Sequence, residues 1–545
     1  MLAPDPNNSS PLEMAHLPDG WSVAAIEDVI LYIRNGFPTS QYRDDVGIPH
    51  LRPMNVSRKG RLILEDVKYV SDDRGLRLLP GDVLFNNTNS AELVGKTAVI
   101  DVDMPLTFSN HMTRLRPAEG VSGRFVAYHL HYLWMIGYFR RISTQHVNQA
   151  SVSSSRLRRI EIALPPAEEQ LRVVAEADRH LVRLDEAEEA LQRSAERIEQ
   201  YRRTVLATAV LGRLLPATSA DAKGLAGHRI TVETATDLPP GWTWTRVNEA
   251  GEVRLGRQRA PKHERGQHPT KYLRVANVFD DSIDYSDILE MNFTPAEQAI
   301  YRLRPGDILL NEGQSVELVG RAAMFRGEVA DICFQNTLIR FRAYDAVDPE
   351  YALLVFRHYF HSGRFRRVAK WSTNIAHLGA TRFAALEFPL PPRSEQERIA
   401  DEARRLLLAA KEQTNLASEL KPRLWQLRRT ILARAVTGQL LPQSSTDTSS
   451  TILLRTIATA RQGGSEQPIT TERPVLMEST SKAQTLFEAL TKAARPLRPD
   501  ELLAFSGYGE ERIEEFYQDL KTEVLSGRIR ERRSEQGRHI VLEIC

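Results

Sequence analysis

The chain has 545 residues, 42% hydrophobic and 26% charged, with 72 Lys and Arg against 70 Asp and Glu. That length exceeds what one core supports and points to about three or four domains. The near-balanced charge gives no global argument for a nucleic-acid partner, so any such argument must come from local clusters. The two cysteines, Cys333 and Cys545, exclude a disulfide framework and a structural zinc site and fit a reducing cytoplasm.

No uninterrupted run of about 18 apolar residues predicts a membrane span, and residues 1–16 lack the basic start and apolar core of a secretory signal. They read as a disordered tail. A first domain over 17–164 opens with Leu17-Pro18-Asp19-Gly20-Trp21. Short β-branched and aromatic runs follow, among them Leu62-Ile63-Leu64, Lys68-Tyr69-Val70, Asp82-Val83-Leu84-Phe85 and Ala98-Val99-Ile100. Gly, Pro, Asn and Asp punctuate them, as in short strands joined by turns. A helical passage from Arg124 to Arg141 closes the segment, which predicts an α+β domain.

Residues 165–216 differ in kind. Val174, Ala177, Leu181, Leu184, Leu191, Ala195, Ile198, Val205 and Ala209 follow alternating three-four spacing, with Glu188 and Arg202 in the missing seam places. Gly212 and Pro216 are the stop signal. A helix of about 40–45 residues is about 60–65 Å long and cannot hide within its own domain. Its entry phrase, Leu164-Pro165-Pro166 then Glu169-Gln170, is stiffened by proline.

After a linker over 217–237 the chain repeats itself. Leu238-Pro239-Pro240-Gly241-Trp242 opens a second domain, 238–390, which closes with a helical passage from Tyr351 to Ala369. Gly81–Lys96 matches Gly306–Arg321 at nine of sixteen positions, and Arg202–Pro216 matches Arg428–Pro442 at eleven of fifteen. So long a period means one whole module duplicated, not a solenoid of short units. A second rod over 391–442 runs through Leu407, Leu420, Leu424, Leu427, Ile431 and Ala435, with a kink or break predicted at Pro422. The two rods are expected to pack on each other.

A Ser/Thr-rich stretch, 443–480, reads as a linker. The last segment, 481–545, has helical patterns at Lys482–Ala494, Pro499–Phe505 and Glu510–Leu525, then two short strands around the turn Ser534–Gly537. This predicts a winged-helix-like or partner-binding domain, with a plain dimerisation bundle as the other reading.

Catalytic signatures are missing from the pattern. Gly95-Lys96-Thr97 imitates the end of a phosphate loop, but Ser90 stands where the upstream glycine belongs, and the second copy reads Gly320-Arg321-Ala322. What recurs on predicted loops is basic and amide-bearing residues. In the first domain these are Arg34, Arg43, Arg52, Arg58, Lys59, Arg61, Gln145 and Asn148. In the second they are Arg257, Arg259, Lys262, Arg265, Lys271, Arg274 and Asn374. Arg and Lys suit phosphates and guanine edges, and Asn and Gln suit adenine edges. A solvated charged face is the competing reading. Asn86 with Asn311 and Asn110 with Asn336 pair across the repeats as turn formers.

The doubled combination of an LPxGW opening, PGD[IV]L…N, LPPxxEQ and a long helix ending AVxGxLLP resembles the specificity subunit of Type I restriction-modification systems. The resemblance covers nearly all of 17–442. It implies two target recognition domains joined by two long helices in an antiparallel coiled coil, reading a bipartite double-stranded DNA target. It also implies that the helices act as a ruler and seat two methyltransferase subunits, which a motor-nuclease subunit can join. The chemistry, with S-adenosylmethionine, ATP and magnesium, would belong to those partners, and this chain would be non-catalytic and cytoplasmic. A self-contained nuclease or methyltransferase with doubled sites, and a structural adaptor without base recognition, are the alternatives.

Overall fold

The computed structural model describes residues 17–43, 46–147, 149–215, 238–259, 266–371, 375–444, 447–463, 486–493, 495–506, 508, 513–533 and 540–544. The tail 1–16 and the linker 217–237 lie outside them. The chain divides into two units, Met1–Ala187 with Arg423–Cys545, and Glu188–Pro422. The division falls within both rods, so each unit holds one domain and half of each rod.

The duplication holds in the order of the main sheets, and the second copy adds a short pair, Val278–Phe279 with Ser282–Ile283, and a helix, Pro295–Tyr301. In the first unit a four-stranded antiparallel sheet has the order Ile30–Asn35, Met112–Pro117, Val83–Asn86, Thr97–Val99. In the second the order is Gly251–Leu255, Leu338–Ala343, Ile308–Asn311, Ala322–Met324. A smaller mixed sheet accompanies each: Ile48–Leu51 between Lys68–Val70 and Thr107–Phe108, and Pro269–Leu273 between Leu289–Asn292 and Cys333–Phe334. A third sheet carries a hairpin, Thr144–His146 with Gln149–Ser151 in one copy and Lys370–Trp371 with Ala376–His377 in the other. Helices Gly123–Met135 and Pro349–His361 cover the large sheets, capped by the Ser122 and Asp348 side chains, each accepting from an N–H three residues on.

The repeated glycines have a steric cause. Gly95 and Gly320 have φ of +92° and +80°, and a Cβ there would lie 2.3 Å from the rings of Phe139 and Phe365. Only glycine tolerates both conditions. Lys96 follows Gly95 into the interior, where its ammonium donates to the Val56 and Pro53 carbonyls. The phosphate-loop look-alike is therefore structural, as its missing glycine indicated. Asn86 and Asn311 are likewise fully buried, donating to the Pro53 and Val278 carbonyls.

The rods run over Ala167–Val210 and Arg393–Val436. In the first unit Val173, Ala177, Leu181 and Leu184 share a core with Ile431, Leu432 and Ala435. In the second, Val205, Leu206 and Ala209 share one with Ile399, Ala403 and Leu407. Early residues of one rod thus meet late residues of the other, the antiparallel pattern. Helix continues through Pro422 without a break. Proline removes one backbone donor, but Pro422 and Ser418, whose carbonyl loses it, are both exposed, so water can satisfy that group. One seam assignment is corrected: Leu427 is 48% exposed, and Arg428 is buried in its place.

The entry phrase has a mechanical meaning. Gln170 is fully buried: its Oε1 accepts from the Ser122 N–H at 2.7 Å, and its Nε2 donates to the Pro165 carbonyl at 3.1 Å. Gln396 repeats this with the Asp348 N–H (2.7 Å) and the Pro391 and Ala346 carbonyls. At the other rod ends, Gly438 lies against Pro18 and Gly212 against Pro239. Each domain is thereby held both where one rod begins and where the other ends.

The expected linker over 443–480 is interrupted by a helix, Ser450–Gly463. Ser450 donates to the Gly20 carbonyl, Arg461 to the Ile30 carbonyl, and Ile457 enters the core of the first domain with Leu453 and Leu454 beside it. The C-terminal segment has helices Leu486–Ala493, Pro499–Phe505 and Ile513–Leu525, then an antiparallel pair Ile529–Arg533 with Ile540–Ile544. Leu497 bridges Leu542, and Leu486, Leu490, Leu502, Phe516 and Ile529 form its core.

Candidate nucleic-acid interface

In the first unit three exposed arginines, Arg34, Arg74 and Arg158, border a groove. Arg34 projects from the outer strand of the large sheet, beside Asn35, Arg74, Asn87, Thr88, the run Ser151–Ser155 and Arg158. Asn35 is fixed by hydrogen bonds from Thr113 Oγ1 (2.7 Å) and Asn87 Nδ2 (3.3 Å). Arg74 has a positive φ of 50°, and its guanidinium lies 4.6 Å from the centre of the Phe37 ring. Arg43 and Arg58 are exposed, and with Arg34 they make no ion pair among the described residues. Gln145, exposed on the hairpin, donates to Ser143 Oγ. This is a rim of cations and amides around a groove lined with hydroxyls, chemistry that suits phosphate oxygens and base edges.

Other sequence candidates sit elsewhere. Lys59 and Arg61 reach Asp185 on the first rod, at 3.0 and 2.6 Å, and Arg428 of the second rod meets the same carboxylate at 2.6 Å. Burial pushes the Asp185 carboxyl up, but the Lys59 hydrogen bond and the Arg428 charge outweigh it and hold it below the usual range. Arg52 is half-buried over the Tyr42 ring. Asn148 lies outside the described residues.

The second domain differs more from expectation. Arg257 is 5% exposed; its guanidinium pairs with Glu297 at 2.8 Å, donates to the Asn292 carbonyl and covers the Phe293 ring. It is an interior tie, which corrects its reading as a DNA contact. Arg274 is paired with Asp287. Arg259 and Lys271 are exposed, while Lys262, Arg265 and Asn374 lie outside the described residues. The hairpin of this copy presents Lys370 and Trp371 to solvent, the latter 64% exposed.

Sequence reasoning missed Arg74, Arg158, Ser151–Ser155 and Trp371. Arg74 sits in the turn Asp72-Asp73-Arg74-Gly75, whose carboxylates bond the following N–H groups; the turn was visible, its direction was not. Trp371 was findable as an aromatic in a hairpin whose inward residues are small.

Residues 18–191 match the model of the Type I restriction modification DNA specificity domain. Over 173 residues the chain is 30% identical to a putative type I restriction enzyme MjaX specificity subunit of Methanocaldococcus jannaschii, covering 30% of this chain and 40% of that one. Over 444 residues it is 23% identical to the EcoKI specificity subunit of Escherichia coli K12, covering 78% and 90%. The chain is thus similar to type I restriction-modification specificity subunits. A solved chain from work on assembly and conformational transition of the type I R-M system has the same fold. That chain shows a TM-score of 0.60 at 19% identity, over 78% of this chain and 99% of its own. Among the described residues, no helix is long and apolar enough to cross a membrane.

Proposed function

We propose that this chain is a specificity subunit that reads a bipartite double-stranded DNA target and acts as the scaffold of a restriction-modification complex. Each domain reads one half of the target, and the rods seat two methyltransferase subunits, with a motor-nuclease subunit able to join them. The observation that carries the reading is the repeat itself. The two frames agree in the order of their main sheets and are joined to the rods by the same buried glutamine, while the hairpins and loops around them carry different side chains. Gln145 on one hairpin faces the same role as Trp371 on the other. Equal frames with unequal edges suit two different short sequences, since base identity is read by side chains at groove edges.

In this reading the chain is non-catalytic. S-adenosylmethionine, ATP and magnesium act on the partner subunits, and the protein works in the cytoplasm. The test is a genome-wide map of modified adenines with and without this gene. A split motif should lose its modification when the gene is removed; unchanged modification would overturn the proposal. Turnover of DNA by this chain alone would favour the self-contained enzyme, and duplex binding insensitive to Arg34→Ala and Lys271→Ala together would favour the adaptor.

A further inference from the structure

The C-terminal segment does not stand apart from the first domain. Its third helix, Ile513–Leu525, lays Tyr517 on the ring of His146, with centroids 4.5 Å apart and planes 30° from parallel. The Tyr517 hydroxyl donates to Gln149 Oε1 at 3.3 Å. His146 and Gln149 flank the tip of the hairpin that carries Gln145. A second contact region lies at the other side: Thr39, Gln41 and Arg74 share a crevice with Arg498 and Glu501. Arg74 also borders the groove beside Arg34. The segment therefore touches both the hairpin and the arginine rim of the candidate reading face.

Its charge decides whether it extends that face or covers it. A helix that enters DNA needs cations, because the duplex carries one negative charge per about 1.7 Å of its axis. The third helix instead holds Glu515 and Asp519 against Lys521, while its Glu523 is buried and paired with Arg528. In the following strand Arg530 and Arg532 pair with Glu543. An acidic helix seated on a hairpin beside exposed arginines occupies the place of a polyanion and would repel a second one.

We infer that the helices Leu486–Ala493, Pro499–Phe505 and Ile513–Leu525, with the strand pair Ile529–Arg533 and Ile540–Ile544, form an autoinhibitory cap on the first recognition domain, one that double-stranded DNA must displace before the Gln145 hairpin can read its half-site. This rests on the DNA-reading function proposed above. The cap acts on one half of the target only, because its ring contacts are with the first domain's hairpin. The equivalent hairpin in the second domain leaves Trp371 64% exposed.

Full-length protein carrying Tyr517→Ala tests this against a short duplex of mixed sequence at fixed salt, with Tyr517→Phe retaining the ring contact. Duplex affinity is measured together with amide exchange across Thr144–Ser151, Pro269–Leu273 and the cap itself. Loss of the ring contact should raise affinity roughly fivefold, since about 1 kcal/mol of closure is removed. Protection of Thr144–Ser151 by duplex should increase, that of Pro269–Leu273 should stay the same, and Tyr517→Phe should stay near wild type. Affinity unchanged or lowered by Tyr517→Ala, with duplex still protecting Pro269–Leu273, overturns the cap and leaves the DNA-reading proposal standing. Duplex that protects neither segment removes that proposal and the cap with it.

Discussion

The two units use the same frame with opposite charge at the joint between domain and rod. Three residues after Asn55 the first domain has Arg58-Lys59; three after Asn277 the second has Asp280-Asp281. In the first unit the acid is on the rod: Asp185 gathers Lys59, Arg61 and Arg428. In the second the acid is on the domain: Asp280 gathers Arg202, Arg357 and His361 at 3.0, 2.9 and 3.1 Å. Arg202 and Arg428 are equivalent in the repeat, so both rods bring the same cation to a differently built partner. Where backbone must fit closely to a side chain, at Gln170 and Gln396 or Gly95 and Gly320, the copies are identical. Where side-chain charge alone is needed, they diverge. A domain docked on the wrong rod half would bring like charges together, which disfavours misassembly of two similar modules.

The largest expected asymmetry between the units is their response to acid. Burial pushes His50 and His131 down to about 4 and His129 to about 3 in the first unit, whereas in the second His358 is held at about 4 by burial and the nearby His361. Each is neutral when folded and has an ordinary value near 6.5 when unfolded. Their contribution is complete above pH 6.5 and is lost as pH falls from 6.5 toward 4, at most on the order of 3 kcal/mol per imidazole. The joint carboxylates, being depressed, act only below that window. Amide exchange between pH 7 and about 4.5 should therefore show the first unit opening before the second. Simultaneous opening, or the second unit first, would break the comparison.

Removing the joint acid comes next in size. Asp185→Ala takes the carboxylate from Arg428, a guanidinium only 1% exposed, and should destabilise the first unit by about 3 kcal/mol. Asp280→Ala should cost the second unit less, because Arg357 keeps Asp281 at 3.0 Å. Denaturant unfolding followed by exchange in each unit checks the order. Equal losses would mean that the reversed polarity has no energetic consequence.

The frame was legible in the sequence because its signals are local. Turn glycines, the proline pair before each rod and the three-four apolar spacing each act within a few residues. What escaped depends on partners far along the chain. Arg257 looked like a loop cation until Glu297, forty residues on, took its charge inside. Leu427 and Arg428 exchange roles through a shift of one residue in seam phase, set by Asp185 on the other rod. The helix Ser450–Gly463 was hidden by its serine and threonine content, although Leu453, Leu454 and Ile457 already recur at helical spacing. Of the candidate interface, Arg34, Arg43, Arg58 and Gln145 were found as exposed groups. The groove beside Arg34 was not, because Arg74 and Ser151–Ser155 converge on it only in three dimensions.

The smallest effect separates the joint from the DNA face. Lys59 and Arg61 are 36% and 53% exposed at the side chain, so each ion pair with Asp185 is screened by water and worth about 0.5 kcal/mol. If their charge belongs to the joint, Lys59→Ala and Arg61→Ala together should lower first-unit stability by about 1 kcal/mol and leave the salt dependence of duplex binding unchanged. Arg34→Ala should do the reverse, with stability held and the logarithmic salt slope reduced by about 0.9 for one lost phosphate contact. Affinity measured over a range of salt, beside unfolding midpoints, gives both readouts on the same variants. A flattened salt slope in the Lys59 and Arg61 variant would return those residues to the reading face, and the reversed polarity of the two joints would then need another cause.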